Sequence, residues 1–294
     1  MTNLQIYLPL NNMILPPSFT YSQSSLQDYA DCPRRFYLKH LLKLAWPSIE
    51  SEPIQENEHF RLQGELFHKM VHQFLIGIPA EKLSGMASDA LLTDWWGNFL
   101  ASQKDLFNLK NTRFFPELSV TAQFEGFHLL AKYDLLVLKD DGSCVIYDWK
   151  TYRKRPRREH LAQKLQTRIY PFVLTLSGFL QDNSRSFDLA QLSMVYWYAN
   201  FPEQPETFRY SPSQYQKDER FLSKLIHSIS KAAESEHDEA FPLTEAVERC
   251  LFCIYRSLCD RGIRAGDWEE ESEVTELQSS LDDFNFEHIS EIEF

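Results

Sequence analysis

Between Glu117 and Phe124 the chain alternates strictly, with polar Glu117, Ser119, Thr121 and Gln123 set against apolar Leu118, Val120, Ala122 and Phe124. That is the period-two signature of a half-buried strand. The strand pattern runs on to Thr151, broken only at Glu125-Gly126 and Asp140-Asp141-Gly142. Both breaks have hairpin-turn composition, so the segment predicts three strands joined by two hairpins. Elsewhere the apolar spacing is helical. From Ser22 to about Leu44 the residues Leu26, Tyr29, Phe36, Leu38 and Leu41 share a face, Tyr21 and Ser22 offer an N-terminal cap, and Pro33 starts a new helix or kinks one. An acidic linker, SIESEPIQENE, leads to expected helices at 59 to 77 and 86 to 108. After the strands a helix is expected from Arg158 to Ser177, kinked at Pro171. Strands at 190 to 199 and 206 to 210 and a helix from Pro212 to about Ser235 follow.

Hairpin register brings acidic residues together. With Asp140-Asp141-Gly142 as the loop, Lys139 faces Ser143 and Asp134 falls opposite Asp148. With Glu125-Gly126 as a tight turn, Phe124 faces Phe127 and Glu117 falls opposite Asp134. Directly opposed side chains have β-carbons about 5 Å apart. Glu117, Asp134 and Asp148 therefore form a row across three strands, with Lys150 on the same face. Carboxylates so close repel one another unless a cation sits among them. A hard divalent ion, Mg²⁺ or Mn²⁺, suits oxygen ligands of this kind. The plainer alternative is a pair of strand-end aspartates on a solvated face. Against it, Asp148 stands between apolar Val145-Ile146-Tyr147 and Trp149, and Lys150 brings a positive charge to the same place.

Composition bounds the rest. The chain has 294 residues, 43% of them hydrophobic, enough for one sizeable core. Its first residues show neither a basic n-region nor an unbroken apolar run, and Ile169 to Leu180 is too short to span a bilayer. A cytoplasmic protein with no membrane partner is expected. The net charge of −12 is unevenly spread, because eleven Asp and Glu and no Lys or Arg fall between Asp267 and Phe294. The body is thus close to neutral, and it carries a basic run, Arg153, Lys154, Arg155, Arg157 and Arg158, followed by Lys164 and Arg168. Such a run is ordinarily a solvated face. Beside Lys150 it reads instead as a set of contacts for a polyanionic ligand. There is no GxxxxGK[ST] loop, hence no evident ATP site.

Three of the five cysteines, Cys250, Cys253 and Cys259, lie close together in a reducing setting, where clustered thiols more often hold metal than form disulfides. They need a remote fourth ligand. A tetrahedral four-thiolate site can hold structural Zn²⁺ or an iron-sulfur cluster, and the C-x2-C spacing alone leans to zinc. Cys144 reads as a small core residue.

These motifs, in this order, resemble the PD-(D/E)XK nuclease superfamily, and within it the RecB-type exonuclease domains. An Asp on one strand and D-x-K on the next are matched by Asp134 and Asp148-Trp149-Lys150. A Gly-x-x-x-His helix is matched by Gly64 and His68, and Gln-x-x-x-Tyr by Gln166 and Tyr170. The segment YSQSSLQDYADCPRRF, with Cys32, and the C-x2-C-x5-C ending are similar to the subset that includes the AddB nuclease domain and the CRISPR-associated spacer-acquisition nucleases. The resemblance covers Ser22 to Gly262. It implies an α/β, restriction-endonuclease-like core, a mixed sheet flanked by helices, with a helical N-terminal lobe (about 19 to 110), a catalytic core (about 115 to 240) and a cysteine clasp (250 to 259 with Cys32). Residues 1 to 18 would be an irregular leader and 265 to 294 an acidic, disordered tail.

The resemblance also implies a metal-dependent DNA exonuclease of repair, recombination or processing, acting on single strands or free ends, with a helicase or integrase as possible partner. Asp134, Asp148, His68, Glu117 and the Trp149 carbonyl would hold Mg²⁺ or Mn²⁺. Lys150 would orient water or steady the phosphate, and Gln166 and Tyr170 would position the strand. It shifts the four-cysteine site, Cys32, Cys250, Cys253 and Cys259, from zinc to a [4Fe-4S] cluster that ties the two ends of the domain. A catalytically silent nuclease-fold subunit that binds DNA or a partner is the alternative.

Overall fold

The computed structural model describes residues 15–16, 18–45, 54–87, 89–102, 111–183, 188–235 and 237–262. The leader and the acidic tail lie almost wholly outside the described residues.

Six strands form one mixed sheet: β1 (Thr20–Ser22), β2 (Thr112–Phe124), β3 (Phe127–Lys139), β4 (Cys144–Lys150), β5 (Leu192–Tyr198) and β6 (Glu206–Arg209). β2, β3 and β4 are antiparallel neighbours, β4 and β5 are parallel, and β6 returns antiparallel to β5. β2 follows one edge of β3 along its whole length. The other edge of β3 is shared. β1 lies parallel to residues 128–130, and β4 pairs with residues 135–138. Between those two ladders, at residues 131–134, β3 has neither strand beside it. Asp134 sits in that gap.

Both hairpin registers match the sequence expectation. Phe124 faces Phe127, and the Lys139 N–H donates to the Ser143 carbonyl at 3.0 Å. Carried on from Leu135 opposite Tyr147, the β3–β4 register sets Asp134 opposite Asp148. The β2–β3 ladder, however, skips one residue on each strand, Glu117 and Asp134. Glu117 there adopts a left-handed φ of 51°, a strained conformation for a residue with a Cβ. The register survives because both strands lose one paired residue, but the facing of side chains reverses. Leu129, Ala131 and Tyr133 face one core, and beyond Asp134 it is Leu136 and Leu138 that face it.

The two faces are covered by helices. On one lie α1 (Gln23–Asp31), α7 (Leu165–Leu176) and α9 (Pro212–Glu234), packed on Tyr133, Leu136, Ile146 and Tyr196. On the other lie α3 (Ile54–Leu75) and α5 (Ala90–Ser102), whose Phe67, Trp95 and Phe99 pack on Leu135, Val137, Trp149 and Trp197. Short helices α2 (Pro33–Phe36), α4 (Ala80–Ser84), α6 (Arg158–Gln163) and α8 (Phe179–Asn183) complete the set.

Ser22 caps α1 as expected, its hydroxyl accepting the Ser25 N–H at 3.1 Å, and Pro33 opens α2 after an extended Cys32. Two expectations about helices need correcting. α3 begins at Ile54, five residues before the expected start, so the last residues of the linker are helical. The helix after the strands is interrupted at Lys164, whose backbone is extended (φ −59°, ψ 135°), and its second part continues past Pro171. The break turns Lys164 toward the sheet, while the Tyr170 carbonyl within α7 accepts the Tyr133 hydroxyl at 3.0 Å.

His160 on α6 is buried. Burial first, and Lys164 second, lower its pKa to about 4. As pH falls below the ordinary histidine value of about 6.5 the unfolded chain takes up this proton and the folded chain does not, so folding weakens until about pH 4. Wild type is expected to lose about 2 kcal/mol more than His160→Leu between about pH 7.5 and about pH 5, read from urea midpoints. Parallel losses in both proteins would remove His160 from the pH response.

Candidate active site

At the gap in β3 the Asp134 carboxylate does what a strand carbonyl would otherwise do: Oδ2 accepts the Trp149 N–H at 2.8 Å, just beyond the last backbone pair. Its other oxygen, Oδ1, lies 3.4 Å from His68 Nδ1 on α3. Asp148 is buried, with Lys150 Nζ 2.6 Å from Oδ2 and the Gln166 amide donating to Oδ1 at 2.5 Å. Lys150 also donates to the Gln166 carbonyl oxygen at 3.0 Å. Gln166 thus spans the acid and the base. Trp149, the residue inside D-x-K, points to the opposite face, where it packs on Phe99 and Trp197 and anchors the strand.

The electrostatics divide the two carboxylates. Burial would raise Asp134, but His68, Lys150 and the Trp149 N–H outweigh it and hold the group below the usual carboxylate value. For Asp148 burial wins, helped by the negative charge of Asp134 and opposed by Lys150, and its pKa is raised. Burial opposes the charge on Lys150, yet Asp148, Tyr152 and Tyr196 keep it firmly protonated. His68 is likewise raised against burial, by Asp134 and then Asp148.

Whether these residues suit a divalent ion turns on their atoms. Lys150 meets Asp148 Oδ2 at ion-pair distance but not in hydrogen-bond geometry, so that buried oxygen has a charge partner and no donor. The two carboxylates and the Trp149 carbonyl are hard oxygen donors, and the His68 imidazole is a borderline nitrogen donor beside them. Among the described residues no three His, Cys, Asp or Glu side chains are drawn tightly around a common point. Asp134 and Asp148 are held instead by His68 and Lys150. The donor chemistry fits Mg²⁺ or Mn²⁺. Glu117 stands opposite Asp134 as the register requires, but its carboxylate is paired with Lys132 rather than turned to Asp148.

Gly64 has a steric task. A Cβ on it would meet Thr151 Oγ1 at 3.0 Å, so the glycine lets α3 lie close against the end of β4 without crowding that side chain. Gly64→Ala is expected to cost about 1–2 kcal/mol and to displace the Lys150 strand. Adding Thr151→Ala removes the clashing oxygen and is expected to restore most of the loss. Denaturation midpoints of the single and double variants check this, and an equal loss in both would refute it.

The basic run divides. Arg153, Lys154, Arg157 and Arg158 are exposed and Arg155 is half-buried. Arg155 and Arg158 both pair with Glu206 on β6. Lys164 Nζ donates to the Tyr152 hydroxyl at 3.2 Å. Arg168 is buried against Asp218, at 2.6 Å, with its guanidinium over the Phe221 ring. That pair joins α7 to α9, so Arg168 belongs to the core and not to a DNA-facing surface. Tyr170 is nearly buried. Burial, then Asp148, raises its phenol, which leaves it a hydrogen-bond donor rather than a base. Tyr152, singled out by no motif, lies beside both lysines; against burial, Lys164 and Lys150 lower its pKa. Its place two residues past D-x-K was the only sequence signal.

At the far end of the fold Cys32, Cys250, Cys253 and Cys259 line one small cavity together with Arg35, Arg249 and Arg256. Burial and the neighbouring Cys253 and Cys32 push the Cys259 thiol up to about 11. The segments that carry these cysteines also meet through Arg249 and Asp31, at 3.2 Å, and through the Tyr255 hydroxyl on the Leu44 carbonyl, at 2.9 Å. Asp28 beneath them gathers Arg35 at 2.8 Å, Lys39 at 2.8 Å and His40 at 2.7 Å. Cys144 lies apart, buried in β4, its thiol raised by burial to about 12, as a packing residue should be.

No curated protein matches the chain. Among solved structures, SSO0001 shares 14% identity over 82% of this chain and 85% of that one, with a TM-score of 0.36. A candidate exonuclease from Eubacterium rectale shares 11% over 79% and 87%, with a TM-score of 0.44. Both likenesses are too remote to carry an argument. Among the described residues no helix is long and apolar enough to cross a membrane. The family model of the PD-(D/E)XK nuclease superfamily matches residues 20–260, the span from β1 to the last cysteine, and the chain belongs to that superfamily.

Proposed function

We propose that the chain is a Mg²⁺- or Mn²⁺-dependent deoxyribonuclease that works from DNA ends. The observation that carries this reading is the meeting of Asp134, Asp148 and Lys150 at the point where β1 and β4 leave β3 open. Asp134, Asp148, His68 and the Trp149 carbonyl would hold the ion, with Glu117 in reach only after leaving Lys132. The ion, when bound, supplies an acidified water and neutralises charge on the phosphate. Lys150, held protonated, faces the same place and stabilises the added negative charge of the phosphate in the transition state. Gln166 fixes Asp148 and Lys150 relative to each other, and α7 places Tyr170 as a donor one turn further on. Arg153, Lys154 and Arg157 suit contacts to flanking phosphates.

The second part of the proposal is a [4Fe-4S] cluster on Cys32, Cys250, Cys253 and Cys259. It is supported by the common cavity that all four cysteines line. Structural Zn²⁺ is the competing occupant. A role in repair, recombination or processing, alongside a helicase or integrase, agrees with a nuclease that has no ATP site of its own.

Digestion of end-labelled and circular DNA, single-stranded and duplex, tests the end dependence. Linear DNA is expected to shorten from its ends while circles persist. Cutting of circles at the same rate would replace the exonuclease reading by an endonuclease one.

A further inference from the structure

Three residues on one face of α3, spaced by four, meet successive parts of the site. His68 touches Asp134, Gly64 abuts Thr151, and the Phe60 ring lies under the Arg153 guanidinium, 4.6 Å from its centroid. From His68 to Phe60 the helix rises about 12 Å, which is within reach of the next nucleotides of a strand whose phosphate lies between Asp134 and Lys150. At that distance the surface opens into a cavity of about 510 Å³, lined by Phe60, Leu91, Arg153, Asn200 and Phe201. It is an open depression rather than an enclosed pocket.

The cavity lies beyond the carboxyl ends of β4 and β5, the parallel pair of the sheet, where ligands of open α/β sheets commonly bind. Its position is fixed by Asn200, which accepts the Trp95 indole N–H at 2.8 Å and donates to the Tyr152 carbonyl at 2.8 Å. With that amide engaged at both ends and Phe60 buried beneath Arg153, the surfaces left to a ligand are the Arg153 guanidinium and the half-buried Phe201 and Leu91. Those are the groups that stack on a flat, polarisable ring next to an anionic backbone.

We infer that this groove is a stacking subsite for one unpaired nucleobase of a single strand, lying beside the scissile phosphate and binding without base preference. The inference rests on the nuclease reading above and narrows its substrate: a base inside a duplex could not enter. The charge fits as well, because the exposed Lys154 and Arg157 continue the same loop past Arg153.

An abasic scan tests it on the full-length wild-type chain. Single-stranded oligonucleotides, each lacking one base at successive positions, are titrated by anisotropy with Ca²⁺ replacing Mg²⁺ to prevent cutting. One position close to the cleavage point is expected to weaken binding about 10-fold, whichever base it normally carries. In Phe201→Ala the same abasic position should cost nothing further. A flat scan in wild type, with DNA still bound and still cut in Mg²⁺, overturns the groove and leaves the nuclease reading standing. Neither binding nor cutting of any DNA overturns both. Because the scan needs no variant, a misfolded Phe201→Ala would not blunt it.

Discussion

Asp148→Asn is expected to lower metal-dependent DNA cleavage by about a thousandfold or more, and Lys150→Met by a similar factor. The two losses have different origins. Asparagine keeps the shape and can still meet the Gln166 amide, but it withdraws the negative charge that both an ion and Lys150 need. Methionine keeps much of the aliphatic stem and removes the cation that faces the phosphate. Since the half-buried Lys150 stands beside the buried Asp148, removing either charge also strands the other, and a stability cost of about 3 kcal/mol accompanies each change. The double variant Asp148→Asn with Lys150→Met should therefore be more stable than the sum of the singles. Cleavage rates and urea midpoints measured on the same samples separate the effects. Activity within tenfold of wild type in either single variant would remove that residue from the chemistry.

Replacing Cys250 by serine is expected to cost the fold on the order of 4 kcal/mol, about 10 °C in Tm, with Cys32→Ser similar. Cys32 and Cys250 are more than two hundred residues apart, so a group bound by both closes nearly the whole domain and restricts the unfolded chain. The contacts of Arg249 with Asp31 and of Tyr255 with Leu44 remain in the variants and limit the loss. Iron and acid-labile sulfide, determined on anaerobically purified protein, should stand near four of each per chain, and fall away in both variants. Stoichiometric zinc without iron would exchange the cluster for a zinc site, and unchanged Tm values in both variants would deny the clasp.

What the sequence could and could not disclose follows from the range of each interaction. Hairpin register is local, set by the turns at Glu125-Gly126 and Asp140-Asp141-Gly142, so the opposition of Asp134 to Asp148 was legible before any coordinates. The reversal at Glu117 was not, because a strained φ leaves no mark on the alternating pattern. It separates Glu117 from the carboxylate row by giving it to Lys132. The interruption at Lys164, where the chain turns to bring Lys164 to Tyr152, carries no proline or glycine to announce it. Arg168 looked like one more phosphate contact; only α9, fifty residues on, supplies the buried Asp218 that claims it. Cys32 is near its three partners in space and remote from them in sequence. Its motif was readable, but the shared cavity is a tertiary fact.

The most direct trial of the whole reading is to incubate purified wild-type chain with end-labelled single-stranded DNA in Mn²⁺, with parallel samples in EDTA and with Asp148→Asn. Shortened products in Mn²⁺ alone, absent from both controls, are the expected result. Intact DNA in Mn²⁺, or products that persist in EDTA or with Asp148→Asn, would contradict a metal-dependent nuclease built on Asp134, Asp148 and Lys150.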